Sequence, residues 1–116
     1  MVINENVDSE LLGGIAMSKR VCVIVAHGIG DCLLGFQCAH HIGKKIGKNN
    51  IDVVCAVRDE VYFPLWLLMG QYFNVKAHPS HDLWGNDNWV LSNKEVLESY
   101  CSDNGYDEIY YVIPDL

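Results

Sequence analysis

The sequence predicts an α/β fold, a Rossmann-like three-layer sandwich around a parallel sheet of strand order 3-2-1-4. Three observations carry this. The segments 21–26 (VCVIVA) and 51–57 (IDVVCAV) are near-continuous apolar runs, the pattern of strands buried on both faces. Between them lies a stretch of helical character long enough for a right-handed βαβ crossover. Helical and strand patterns then alternate through to residues 108–113 (EIYYVI), a fourth strand.

Residues 1–18 lack steady periodicity and contain Gly13-Gly14, so they read as a flexible leader to a domain spanning 19–116. After the first strand, Leu34, Cys38, Ile42 and Ile46 step by four along a helix. Lys44, Lys45 and Lys48 fall at its end, where cations suit the helix dipole, and Asn49-Asn50 is expected to break it. A short helix is predicted over 60–69, with Pro64 suited to a first turn. Residues 73–77 form a third strand, and the Pro, Gly, Asn and Asp content of 78–88 marks a loop. Ser92 and Glu95 fit a capping box, with Leu91 and Val96 at the staple positions. That helix runs to about Asp103 and stops at Gly105. In the order 3-2-1-4 the fourth strand is an edge, yet Ile109 to Ile113 look like an interior strand. Further chain or another subunit is therefore expected to cover it, and self-association through strand 108–113 is expected where nothing does.

Composition bounds the function. With 116 residues the chain is one domain, and 50% hydrophobic against 20% charged residues makes it globular. A net charge of −7 argues against nucleic acid as a partner. The longest apolar run, 61–69, is far short of the ~20 residues of a transmembrane segment. Glu5, Asp8 and Glu10 exclude a secretory signal from the first sixteen residues, and five cysteines without a Cys-x-x-Cys pair make a disulfide framework unexpected. A cytoplasmic location is the expectation. Charge is segregated, because residues 17–58 carry six basic residues against Asp31 and Asp52, whereas residues 59–116 carry ten carboxylates against Lys76 and Lys94. An anionic ligand is expected on the first half.

The strongest local signal for chemistry is the turn after the first strand, His27-Gly28-Ile29-Gly30-Asp31. Gly28 and Gly30 allow tight turning and close backbone approach, and a helix N-terminus offers free N–H groups. The carboxyl end of a strand is where open α/β sheets bind ligands. The dinucleotide fingerprint is met only in part, because Leu33 occupies the place of the third glycine and the second strand ends in Val57-Arg58-Asp59. No phosphate loop exists. Asp31 would repel a phosphate, which leaves two readings: a helix N-cap, or a general base that takes a proton from a sugar hydroxyl.

Strand, then Gly-x-Gly-Asp, then Leu33-Leu34 and a helix resembles the opening of the heptosyltransferases of lipopolysaccharide synthesis. Tyr106-Asp107-Glu108-Ile109 running into a strand is similar to that family's fourth strand. The resemblance covers residues 20–116, with Gly30-Asp31 its most specific part. It implies the acceptor-side N-terminal part of a two-domain GT-B glycosyltransferase, with a donor domain outside these 116 residues. It also implies Asp31 as the catalytic base; around it, His27, Gly28, Ile29, Gly30, Arg58 and Trp84 are expected to line the substrate site. Gln37 stands where the family usually has proline, and His27 where small or hydroxyl residues are common. The partners so implied are a nucleotide-sugar donor and a carbohydrate acceptor, with no cofactor, and these 116 residues alone are expected to be inactive. The alternative is a non-catalytic Rossmann-like nucleotide-binding or interaction domain. A nicotinamide reductase is disfavoured by Leu33.

No metal is expected. The spacing of His40, His41, His78, His81 and Cys38 matches no zinc pattern, and exposed or capping histidines are the better reading. A Cys38–His41 nucleophile pair lacks a third orienting group. His27-Gly28 after a strand is similar to an oxyanion loop of α/β-hydrolases, but no Gly-x-Ser-x-Gly elbow exists. Seven aromatics, Tyr62 to Trp89, crowd one region. Packing beneath the loop 78–91 is their expected role, with Trp84 and Trp89 the candidates for stacking on a sugar.

Overall fold

The computed structural model describes residues 2–6, 19–26, 28–79 and 93–112. In chain order the elements are β1 (Val2–Asn6), β2 (Val21–Ala26), α1 (Ile29–Ile46), a 3-10 turn at Lys48–Asn50, β3 (Ile51–Ala56), α2 (Asp59–Met69), β4 (Asn74–Ala77), α3 (Lys94–Asp103) and β5 (Glu108–Val112). The two continuous apolar runs take the middle of the sheet, where both of their faces are covered. Every residue of β2 and β3 is buried. The four parallel strands have the expected order 3-2-1-4, as β4-β3-β2-β5.

The edge beyond β5 is not open. β1 pairs with it antiparallel, from Val2 opposite Val112 to Asn6 opposite Glu108. Two expectations change with it. Residues 2–6 are a strand and not part of a flexible leader, and the chain itself covers the outer edge of β5 in place of a second subunit. Residues 7–18 lie outside the described residues.

Alternation along the central strands divides the core in two. Cys22, Ile24, Ala26, Val54 and Ala56 face α3 and pack with Leu97, Cys101, Tyr106, Ile109 and Tyr111. Val21, Val23, Val25, Val53 and Cys55 face α1 and α2 and pack with Cys32, Phe36, Ala39 and Leu65. Each such aliphatic side chain, fully buried, contributes about 1.5–3 kcal/mol.

Of the four-residue steps read along helix α1, Cys38, Ile42 and Ile46 are partly buried and pack against the core, and Leu34 does not. Its buried residues are Cys32, Gly35, Phe36 and Ala39, and Leu34 is exposed. Small residues win because the helix lies close on β2: a Cβ at position 35 would overlap the Val25 side chain. Gly35 thus supplies the close helix–strand contact that the dinucleotide fingerprint assigns to a glycine at the place of Leu33. The helix stops at Gly47, whose φ of 91° suits glycine, and not at Asn49-Asn50, which continue into the 3-10 turn. Asn93 is the N-cap of α3 and makes no side-chain capping bond, and Ser92 and Leu91 of the expected capping box and staple lie outside the described residues. The expected stop at Gly105 holds, with φ 73°.

Candidate functional site

Parallel strands end together, so the residues that follow β2 and β3 share one edge of the sheet. Ala26 pairs with Ala56, which sets Gly28, Ile29, Gly30 and Asp31 beside Arg58. Four of the residues expected around the substrate are therefore brought together with Asp31. His27 and Trp84 lie outside the described residues, as do His81 and Trp89.

Gly28 is the N-cap of α1, in extended conformation and with no side-chain capping bond. The first hydrogen bond of the helix runs from Cys32 N–H to Gly28 C=O at 3.1 Å. This removes the capping reading of Asp31, which sits in the first helical turn, two residues past the start. Its negative charge there suits the helix dipole. The side chain is half-buried, and no hydrogen bond or ion pair joins it to another group among the described residues.

Neither glycine of the turn is required by the chain itself. Gly28 has φ −93°, and a Cβ at either Gly28 or Gly30 would meet no atom within 4 Å. A side chain fits at both positions as far as the protein is concerned. What the glycines leave is open approach to the first-turn N–H groups.

Arg58 is the N-cap of α2, and its carbonyl accepts from the N–H groups of Val61 and Tyr62, each at 2.9 Å. Its exposed guanidinium lies 3.9 Å from Glu60, an ion pair in solvent that is worth little. At the end of β4, His78 is buried, against the expectation of an exposed or capping histidine. Its N–H donates to Cys55 C=O at 3.0 Å, and its ring lies 4.7 Å from that of Tyr100. Reading 78–88 as one loop concealed it: His78 is the residue next after β4, still bonded to the neighbouring strand. His40 and His41 are exposed on α1, as expected. No group of three or more metal-ligating side chains exists among the described residues.

Two grooves run along the helices without including Asp31 or Arg58. One, of about 610 Å³, lies between α1 and the end of α2, lined by Leu33, Gln37, His40, His41, Met69 and Phe73 among others. The other, of about 470 Å³, is lined by His78, Pro79 and residues of α3 from Glu95 to Asp103. The aromatic cluster is only partly packed: Phe73 meets Phe36 at 5.2 Å, but Phe63, Trp66 and Tyr72 are exposed.

A second polar cluster stands at the opposite edge. Asp52, buried near the start of β3, accepts from Tyr106 Oη at 2.5 Å and from Lys76 Nζ at 2.9 Å, with Arg20 Nη2 at 3.5 Å. Arg20 also lies over the Tyr106 ring at 4.8 Å and donates to Asn104 C=O at 2.7 Å. Burial, and then the bond to Asp52, push the Tyr106 hydroxyl well above its ordinary range. Every carboxylate and cation of this cluster already has a protein partner, and it lies at the amino edge, away from where open α/β sheets bind ligands.

Comparison of the chain with protein-family models, with curated proteins and with solved structures finds no match. No helix among the described residues is long and apolar enough to cross a membrane.

Proposed function

We propose that the chain is the acceptor-side, Rossmann-like part of a glycosyltransferase that moves a sugar from a nucleotide-sugar donor to a carbohydrate acceptor. One observation carries the reading: Asp31 stands at the carboxyl edge of the sheet with neither a capping role nor a partner among the described residues. A carboxylate so placed accepts the proton of an acceptor hydroxyl as that oxygen attacks the anomeric carbon and the nucleotide diphosphate departs. Gly28 and Gly30 let the acceptor lie against the backbone, and Arg58, across the same edge, orients it by hydrogen bonds to its hydroxyls. No metal or cofactor is called on.

The test is amide NMR of the labelled chain with neutral and phosphorylated oligosaccharides. Shifts at Gly28, Gly30, Asp31 and Arg58 that saturate with sugar are expected. Their absence across a broad panel would remove the reading. The two open glycines also favour a second reading, a nucleotide-binding domain without catalysis. Saturating shifts with a nucleotide alone and none with any sugar would select it.

A further inference from the structure

The cavity of about 610 Å³ adjoins a smaller one of about 340 Å³, since His40 and Phe73 line both, and together they form one groove between α1 and the segment that leaves α2. One wall is a single stripe of α1. Leu33, Gln37, His40 and Lys44 follow one another at spacings of four, three and four residues, so they share one side of the helix over roughly 16 Å. Met69, Tyr72 and Phe73 stand opposite. The buried Phe36 closes the groove beneath, its ring 5.2 Å from that of Phe73.

The groove changes character along its length. Leu33, Phe36, Met69 and Phe73 make the larger cavity apolar, with Gln37 and two imidazoles at its rim. The smaller cavity sets Lys44 beside Tyr72, Phe73 and His40. The chain carries 15 Asp and Glu, yet no carboxylate lines either cavity. Lys44 makes no ion pair among the described residues, and Tyr72 is 58% exposed, so its ring has surface that the fold does not use. An apolar hollow with aromatic walls and a few polar groups at one end suits a small ligand. The ammonium at that end selects an acid, which a carboxylate in the wall would repel.

We propose that this groove binds a small aromatic acid. Its ring system lies over Phe36 and Phe73 between α1 and Met69, and its anionic group rests on the Lys44 ammonium with His40 and Tyr72 beside it. The groove contains neither Asp31 nor Arg58, so the proposal is independent of the glycosyltransferase reading and stands or falls without it.

Amide NMR titrations of the 116-residue chain with 2-naphthoate, and with its neutral isostere 2-naphthamide, test it. Saturating shifts at Gln37, His40, Lys44 and Phe73 are expected with naphthoate, at a dissociation constant on the order of 0.1–1 mM. The amide should bind at the same residues at least about fivefold more weakly. Lys44→Gln should weaken naphthoate by at least about fivefold and leave naphthamide unchanged, a split that general damage to the fold would not produce. Tyr72→Ala, at an exposed position, should weaken both ligands by about threefold. Equal affinity for acid and amide, or a naphthoate affinity indifferent to Lys44→Gln, would overturn the proposal. Shifts confined to the exposed face of α2 around Trp66 and Leu67 would overturn it equally, as would no saturable shift with about 5 mM naphthoate.

Discussion

At the amino edge of the sheet Asp52 binds Lys76, Tyr106 and Arg20 at once, whereas at the carboxyl edge Asp31 meets no partner among the described residues. The two carboxylates are the same chemical group put to opposite uses. Asp52 is buried, and its charge is tolerated there because cations and a hydroxyl surround it. The same edge is fastened further by Lys19 Nζ on Glu108 at 2.7 Å and by Arg20 N–H on the Asp107 carboxylate at 2.8 Å. The carboxyl edge is made of the alanines that end β2 and β3 and of two glycines that the chain does not need. Stability is concentrated at one edge, and capacity for a ligand is left at the other.

The sharpest way to break this contrast is to remove each charge in turn. Asp31→Asn keeps size and polarity but cannot accept a proton. In an active transferase containing this chain it should lower turnover by about 10²–10⁴-fold. Its stability should change by less than about 1 kcal/mol, the worth of a charge at a helix start. Steady-state kinetics beside thermal melts give both numbers, and a stability loss with an unchanged rate would make Asp31 a structural residue. Asp52→Asn should do the reverse: about 2 kcal/mol lost in urea denaturation, mainly from weakened bonds to the buried Tyr106 hydroxyl, with the amides around Gly28 unmoved in NMR spectra. Lys76 and Arg20 are half-exposed and regain water, so they add little to that loss.

A smaller effect sharpens the comparison. Gly30 lies in the first turn of α1 with open space where a Cβ would stand. Gly30→Ala should therefore stabilise the chain by roughly 0.5–1 kcal/mol while weakening whatever ligand approaches the backbone there. Gly35→Ala is the control, because its methyl group has no room against Val25 and should destabilise. If both substitutions only destabilise, the carboxyl edge is packed after all.

How much of this was legible in the sequence depends on what each residue has to bury. β2 and β3 are covered on both faces, so their composition alone marks them, and the βαβ handedness then orders the sheet. β1 was not legible. Val2 and Ile3 are followed by Asn4, Glu5 and Asn6, and a strand at the sheet's edge need not carry a continuous apolar run. On α1 the stripe of Cys38, Ile42 and Ile46 was legible, but its most deeply buried part was not, because Gly35 and Ala39 carry little apolar weight in a sequence although a helix lying close on a sheet buries them. At the candidate site the Gly-x-Gly-Asp turn was visible. The capping role was not decidable, because a helix start placed one or two residues earlier turns a cap into a first-turn carboxylate. Asp52 drew no attention because its partners come from residues 20, 76 and 106, which only the sheet order brings together.

The smallest expected effect lies at alkaline pH and belongs to the amino edge. Tyr106 is a neutral acid whose hydroxyl donates to a carboxylate from within the core, so its folded pKa is raised. In the unfolded chain it ionises near pH 10. Above that pH the unfolded state gives up a proton that the folded state keeps, so the contribution of Tyr106 is full below pH 10 and is lost as pH rises beyond it. The thiols of Cys22 and Cys55 are likewise raised, that of Cys22 by burial and then by contact with Cys101, that of Cys55 by its hydrogen bond with Cys32 and then by burial, and their loss begins earlier, from about pH 8.5. Stability measured by denaturant titration should therefore fall in two stages. Tyr106→Phe should be less stable at pH 7 by about 1 kcal/mol, the lost hydrogen bond, and should fall less steeply than the parent above pH 10. The difference between parent and variant should shrink by under about 1 kcal/mol between pH 9.5 and 10.5. The earlier stage, set by the cysteines, should be the same in both proteins. A variant whose alkaline limb parallels the parent throughout would show that Tyr106 ionises as freely in the folded chain as in water, and the amino edge would then be no more closed than the carboxyl edge.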